Sequence, residues 1–251
     1  MQLQGKTALV TGGTRGIGAA SAIAFAREGM NVAIAARRND EQAQETKRKI
    51  ESLGRQCAML AADCAKPEDN TRAVEETLRR FSSVDVLLHA AGGPVMGDVL
   101  RVPPEDWYRG FDVHVHAVYH LCRAAVPRMQ ENKEGAIILV SSVAGIRGCP
   151  GILCYQAVKG AILQLTRGLA RDLAPHNIRV NCVSPGVIET EFHVLAGMTQ
   201  EQRTLNVEKR IPLGRHGRPE HIAEMVLEMA RNDYLTGENV TVDGGLTMRI
   251  A

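Results

Sequence analysis

Short apolar runs recur along the chain, separated by longer stretches in which apolar and polar residues alternate at helical spacing. The runs include Lys6-Thr7-Ala8-Leu9-Val10, Val32-Ala33-Ile34-Ala35-Ala36, residues 57–62 and Val84-Asp85-Val86-Leu87-Leu88. Residues 135–142, Ile178-Arg179-Val180-Asn181-Cys182-Val183 and Val240-Thr241-Val242 continue the series. Most are apolar without a break, as strands are when both faces of a parallel sheet are covered. The stretches between them predict helices over 19–28, 40–53, 107–129, 155–173 and 218–229, and a helical flap over 189–210. A further helix opens at Lys66-Pro67-Glu68, with proline in the first turn, where its missing N–H costs nothing. Strand and helix alternate with short connections. The pattern predicts α/β architecture in a single domain, residues 1–251: a doubly wound parallel sheet of about seven strands with helices on both faces.

Composition adds exclusions. The 251 residues are 45% hydrophobic and 23% charged, ordinary for a globular chain, and the net charge of +2 is too small to argue for nucleic acid or an anionic membrane. No apolar stretch reaches the length of a membrane span. The opening residues read as the approach to the first strand rather than as an export signal. The six cysteines form no C-x-x-C pair, so reduced thiols and a cytoplasmic location are expected. Cys149 and Cys154 flank the approach to Tyr155 and are expected to line a pocket there.

The first strand runs into Thr11-Gly12-Gly13-Thr14-Arg15-Gly16-Ile17-Gly18 and then a helix. Glycines let backbone approach a phosphate, and a helix N-terminus offers free N–H groups and a positive dipole end. This Rossmann-type arrangement predicts a dinucleotide site in a cofactor half, about 1–135. The spacing is Gly12-x-x-x-Gly16-x-Gly18 rather than the commoner G-x-G-x-x-G. After the second strand, where an acid would bond the ribose of NAD, the chain has Ala36-Arg37. Arg37 and Arg15 therefore point to the 2′-phosphate of NADP; the alternative is that Arg37 and Arg38 are solvated loop residues.

The second half, about 136–251, carries the candidate chemistry. Tyr155 and Lys159 are four apart, on one face of a helix. A free tyrosine titrates at about 10, and an adjacent ammonium is expected to lower that value, fitting the phenol for proton transfer. Ser142 ends the fifth strand, where open α/β sheets bind ligands, and is placed to hold the same substrate oxygen. Taken alone, Tyr-x-x-x-Lys reads as a solvated helix face and a strand-end serine as a turn residue.

The motifs in order change that. Thr11-Gly12-x-x-x-Gly16-Ile17-Gly18, Asp63, Ala91-Gly92, Ser142, Tyr155-x-x-x-Lys159, Asn181-x-x-Ser184-Pro185-Gly186, Thr190 and Asp243-Gly244-Gly245 together resemble the short-chain dehydrogenase/reductase family over essentially the whole chain. The resemblance implies a carbonyl/secondary-alcohol oxidoreductase with Tyr155 as acid/base, Lys159 lowering its pKa and bonding the nicotinamide ribose, and Ser142 orienting substrate. It implies cofactor contacts from Gly12, Thr14, Arg15, Gly16, Ile17, Gly18, Arg37, Asp63 (to adenine), Cys64, Ala91, Gly92, Pro185, Gly186, Ile188 and Thr190. NADP(H) is the expected cofactor, with NAD(H) as the alternative. A 3-oxoacyl-(acyl-carrier-protein) reductase-like activity is expected; the alternatives are a sugar or other secondary-alcohol dehydrogenase, or a non-catalytic dinucleotide sensor. The substrate cleft is expected between residues 93–96, 149–154 and the flap around Phe192, His193, Leu195 and Met198. A homotetramer or homodimer is implied, pairing residues 111–129 and 155–173, with 240–251 at the other interface.

Two departures stand out. His89-Ala90-Ala91-Gly92 replaces the family's Asn-Asn-Ala-Gly, so side-chain bonds to the sheet are expected to be lost there. His114 takes the place of the family's active-site asparagine and joins the candidate catalytic set. His116 and His120 have metal-ligand spacing but no third ligand, so no metal is expected.

Overall fold

The computed structural model describes residues 1–248, apart from the His193 side chain. Residues 249–251 of the expected interface tail, and the His193 side chain expected at the cleft, lie outside the described residues. A seven-stranded, all-parallel sheet has the order β3-β2-β1-β4-β5-β6-β7. Its strands are β1 (Thr7–Thr11), β2 (Asn31–Ala36), β3 (Cys57–Ala61), β4 (Val86–His89), β5 (Gly135–Val140), β6 (Ile178–Pro185) and β7 (Asn239–Val242). The helices are α1 (Gly16–Arg27), α2 (Glu41–Ser52), α3 (Pro67–Phe81), α4 (Pro104–Phe111), α5 (Ala117–Asn132), α6 (Leu153–Leu173), α7 (Phe192–Leu195), α8 (Gln200–Leu205) and α9 (Pro219–Arg231). The doubly wound sheet expected from the alternating runs is the observed fold.

Strand β5 shows why an unbroken apolar run is needed. Ile137 and Leu139 enter the core shared with α5 and α6; Ile138, between them, enters the core containing Phe25 of α1 and Met229 of α9. All three are fully buried, and burying each side chain is worth about 1.5–3 kcal/mol. The strand order reverses direction between β1 and β4, where Thr11 pairs with His89. Ligands in open α/β sheets bind outside the strand ends at such a point.

Two glycines shape that crevice. Gly12 has φ +66, and a Cβ there would lie 2.8 Å from the Ala91 backbone. At Gly18 a Cβ would lie 2.2 Å from the Gly12 carbonyl oxygen, so α1 can seat its first turn on the loop only with glycine.

Three expectations change. The helix expected over 107–129 begins earlier, ends later and is interrupted by a π turn, Asp112–His116. The helix expected from residue 19 begins at Gly16, so its first turn includes the second half of the glycine loop. The flap is two short helices followed by a π turn, Asn206–Arg210.

Arg179 is a buried cation within β6 that caps α9. Its guanidinium donates to the carbonyls of Met229 and Ala230, each at 2.6 Å. Those carbonyls lie in the last turn of α9, where helix acceptors lack backbone partners and cations are favoured. Arg179→Leu should cost about 2–4 kcal/mol by leaving both unsatisfied, read as a lower urea midpoint. An unchanged midpoint would show that water satisfies them.

Candidate active site

The site begins where β5 ends. Ser141 is buried and donates to the Lys159 carbonyl at 2.7 Å, pinning α6 to the strand. Ser142 opens a 3₁₀ turn, Val143–Gly145, and its Oγ accepts the Ala144 N–H at 3.1 Å. Gly145 lets that turn touch α6: a Cβ there would lie 2.7 Å from the Lys159 carbonyl carbon. These contacts place the Ser142 hydroxyl near enough to the Tyr155 phenol to favour its ionised form.

Tyr155 is boxed in. The His114 ring meets it edge-on with centroids 5.9 Å apart, and Phe192 of α7 lies 5.4 Å away. Lys159 Nζ lies 5.5 Å from the Tyr155 ring centroid and donates to the Val140 carbonyl at 2.7 Å. Here the expected electrostatics are corrected. Burial pushes the Tyr155 phenol up to about 12, although the nearby Ser142 hydroxyl favours ionisation. Burial also pulls Lys159 down to about 8. Helical spacing puts the two residues together, but the ammonium faces a strand carbonyl and the tyrosine's π face, and desolvation wins.

The histidine departures are both buried, and one expectation about them fails. His89 does bond the sheet: its Nδ1 lies 2.8 Å from Thr11 Oγ1, and its Nε2 lies 3.1 Å from the Val113 carbonyl. His114 Nε2 lies 3.1 Å from the Gly93 carbonyl. Burial, then the Lys159 charge, holds His89 down at about 4 and His114 well below its ordinary value.

On the cofactor side, the φ +53 of Gly16 turns the chain into α1, and Thr190 Cγ2 lies 3.3 Å from where its Cβ would be. Thr14 and Ile188 are buried; the Thr14 carbonyl accepts from Thr46 Oγ1, and the Ile188 carbonyl accepts from Thr190 Oγ1 at 3.4 Å. Ile17 packs partly buried on the α1 side of the core, and the Ala91 N–H reaches Thr11 Oγ1 at 3.4 Å. After Pro185 ends β6, Gly186 N–H donates to the Val242 carbonyl at 3.0 Å. The two expected phosphate cations differ. Arg37 is exposed, and its charge reaches Asp63. Arg15 is bound by Asp40 at 2.5 Å and by Glu191 at 3.1 Å, and Gln42 holds the same Glu191 at 2.6 Å. The Asp63 carboxylate, expected at adenine, accepts from Arg109 Nη2 at 3.0 Å and from the Ala65 N–H. Asp40, Gln42, Glu191 and Arg109 carried no signal in the sequence beyond their charge or polarity.

Burial pushes every cysteine thiol up, that of Cys64 to about 12. Cys154, expected to line the pocket, is fully buried, with its Sγ 3.5 Å from the Trp107 carbonyl; Cys149 is half-buried. His116 pairs with Asp112 at 2.9 Å, and no cluster suited to a metal ion occurs among the described residues.

A family model described as enoyl-(acyl carrier protein) reductase matches residues 12–247. The 3-oxoacyl-[acyl-carrier-protein] reductase of Chlamydia trachomatis is 34% identical over 97% of this chain and 98% of its own length. The chain belongs to the short-chain dehydrogenase/reductase family. As a family member it is an oxidoreductase. A short-chain type dehydrogenase/reductase from Mycobacterium marinum superposes with a TM-score of 0.92 at 33% identity, covering 99% of this chain and 98% of that one. A short-chain dehydrogenase from Burkholderia cenocepacia, solved in complex with NADP, gives 0.90 at 32% identity over 98% of this chain and 100% of the other. Among the described residues no helix is long and apolar enough to cross a membrane.

Proposed function

We propose that this short-chain dehydrogenase/reductase is an NADPH-preferring carbonyl reductase acting on a 3-oxoacyl thioester or a comparable ketone. The observation that carries the reading is the buried Tyr155 phenol, near the Ser142 hydroxyl and with the Lys159 ammonium beside its ring. A phenol held at about 12 is protonated at neutral pH, the state required to donate a proton to a developing alkoxide. Ser142 holds the substrate oxygen, and Tyr155 Oη delivers the proton to it. Lys159, held near 8, can return a proton to the phenol close to working pH.

The residues fit the cofactor. Gly12 and Gly18 let the loop pack tightly against the Ala91 backbone and the first turn of α1, whose N-terminal N–H groups would take a pyrophosphate. Thr14, Arg15 and Arg37 would hold the adenosine end, and Ile188 and Thr190 the carboxamide. When bound, the nicotinamide supplies the hydride. NADP in the Burkholderia relative and the 3-oxoacyl activity named for the Chlamydia relative support the reading. Exposed apolar side chains at the cleft mouth, Met96, Val194 and Leu195, suit an apolar substrate tail. NADPH oxidation assayed against 3-oxoacyl thioesters and a ketone panel tests it; no turnover on any of them, with activity only on sugar alcohols, would move the enzyme to the dehydrogenase reading.

Arg37 carries the cofactor preference. A charge-assisted bond to the 2′-phosphate is worth about 1.5–3 kcal/mol, or about 10- to 150-fold in affinity. Arg37→Asp should remove that and add repulsion, inverting the NADPH/NADH ratio in a binding titration. Equal wild-type affinities would refute the assignment.

We also propose a homotetramer, as the family resemblance implies. Light scattering at micromolar concentration should give four times the chain mass, and a monomer would contradict it.

A further inference from the structure

We propose that His89 and His114 form a two-imidazole lock that positions Tyr155 and the Ala91–Gly93 loop against each other. The proposal rests on reading this cleft as the reductase site.

The geometry fixes both tautomers. A carbonyl can only accept, so His89 Nε2 must carry the hydrogen toward the Val113 carbonyl at 3.1 Å. Its Nδ1 then accepts from the Thr11 hydroxyl at 2.8 Å. His114 Nε2 likewise donates to the Gly93 carbonyl at 3.1 Å. Each bond crosses between the same two segments in the opposite sense. His89, at the end of β4, holds a carbonyl of the π turn; His114, in the π turn, holds a carbonyl of the loop that follows β4.

The π turn is explained by this exchange. In a regular helix the Ala117 N–H would bond the Val113 carbonyl; here it bonds Asp112, one residue further back. The freed Val113 carbonyl is the one His89 takes. The turn in turn sets the His114 ring edge-on to Tyr155 at 5.9 Å and over Gly92, where a Cβ would lie 2.0 Å from the ring. His89 thus acts on Tyr155 through His114 and is a positioning residue. Asparagine carries an acceptor and a donor about as far apart as the two ring nitrogens, so it can replace the lock in part.

The test is long-range ¹H–¹⁵N correlation of the wild-type imidazoles at pH 7, with and without NADPH. Both rings should be neutral with hydrogen on Nε2; an Nδ1–H tautomer or an imidazolium at either ring overturns the proposal. His89→Leu should expose the His114 Nε2–H to rapid solvent exchange and lower kcat by about 10- to 100-fold, with the KM for NADPH within about twofold. His89→Asn should recover kcat to within about threefold of wild type. Full activity in His89→Leu, or equal loss in both variants, overturns the lock. If His89→Leu fails to fold, the wild-type tautomers and His89→Asn decide. The tautomers need no turnover, so their failure is distinct from the failure of the reductase reading, which would appear as activity in Tyr155→Phe.

Discussion

Tyr155→Phe lowers kcat by about 10² to 10⁴-fold and leaves NADPH affinity within about threefold. The substitution removes one oxygen, the atom near the Ser142 hydroxyl, and leaves the ring packed between His114 and Phe192. The box around the ring should therefore survive, and the loss falls on the chemical step, as much as about 5 kcal/mol in the barrier. Single-turnover kinetics with a 3-oxoacyl thioester, beside fluorescence titration of NADPH, separate the two effects. A kcat near wild type would take Tyr155 out of the acid/base role, whatever happened to binding.

Lys159→Met makes the protein more stable and nearly inactive. The Lys159 pKa is about 8 in the folded chain against 10.5 for an ordinary lysine, because burial disfavours the ammonium. Between those values the unfolded chain binds more protons than the folded one, so this residue's contribution to wild-type stability rises as pH rises from about 8 to 10.5. Below about 8 the full penalty is present. At roughly 1.4 kcal/mol per pKa unit it amounts to about 3 kcal/mol at pH 7. The bond to the Val140 carbonyl is lost in the variant, which leaves a gain of about 1–3 kcal/mol. Urea unfolding should show Lys159→Met above wild type at pH 7, with the gap closing toward pH 10. A variant no more stable than wild type at pH 7 would mean that the buried ammonium is not a cost.

The sheet was legible because its strands are covered on both faces and so read as unbroken apolar runs; Ile137, Ile138 and Leu139 had nowhere to put a polar residue. The meeting of Ser142, Tyr155 and Lys159 was legible because strand ends and helical spacing are local geometry. Depth was not. Spacing puts Lys159 beside Tyr155 but says nothing of the desolvation that raises one pKa and lowers the other. The π turn was hidden because its partner, His89, is 24 residues earlier, and a helical pattern cannot show which carbonyl a distant imidazole will take. The partners of Arg15 were hidden for the same reason, lying 25 and 176 residues away.

That arginine links two properties usually treated apart. Glu191 stands one residue before Phe192, the aromatic neighbour of Tyr155, so the ion pair between Arg15 and Glu191 ties the flap to the nucleotide turn. One guanidinium cannot satisfy two carboxylates and a phosphate dianion together. A 2′-phosphate settling on Arg15 would leave Glu191 held by Gln42 alone and so loosen the segment covering the tyrosine. Cofactor choice and substrate admission would then share a single charge, and kinetics would be ordered, nucleotide first.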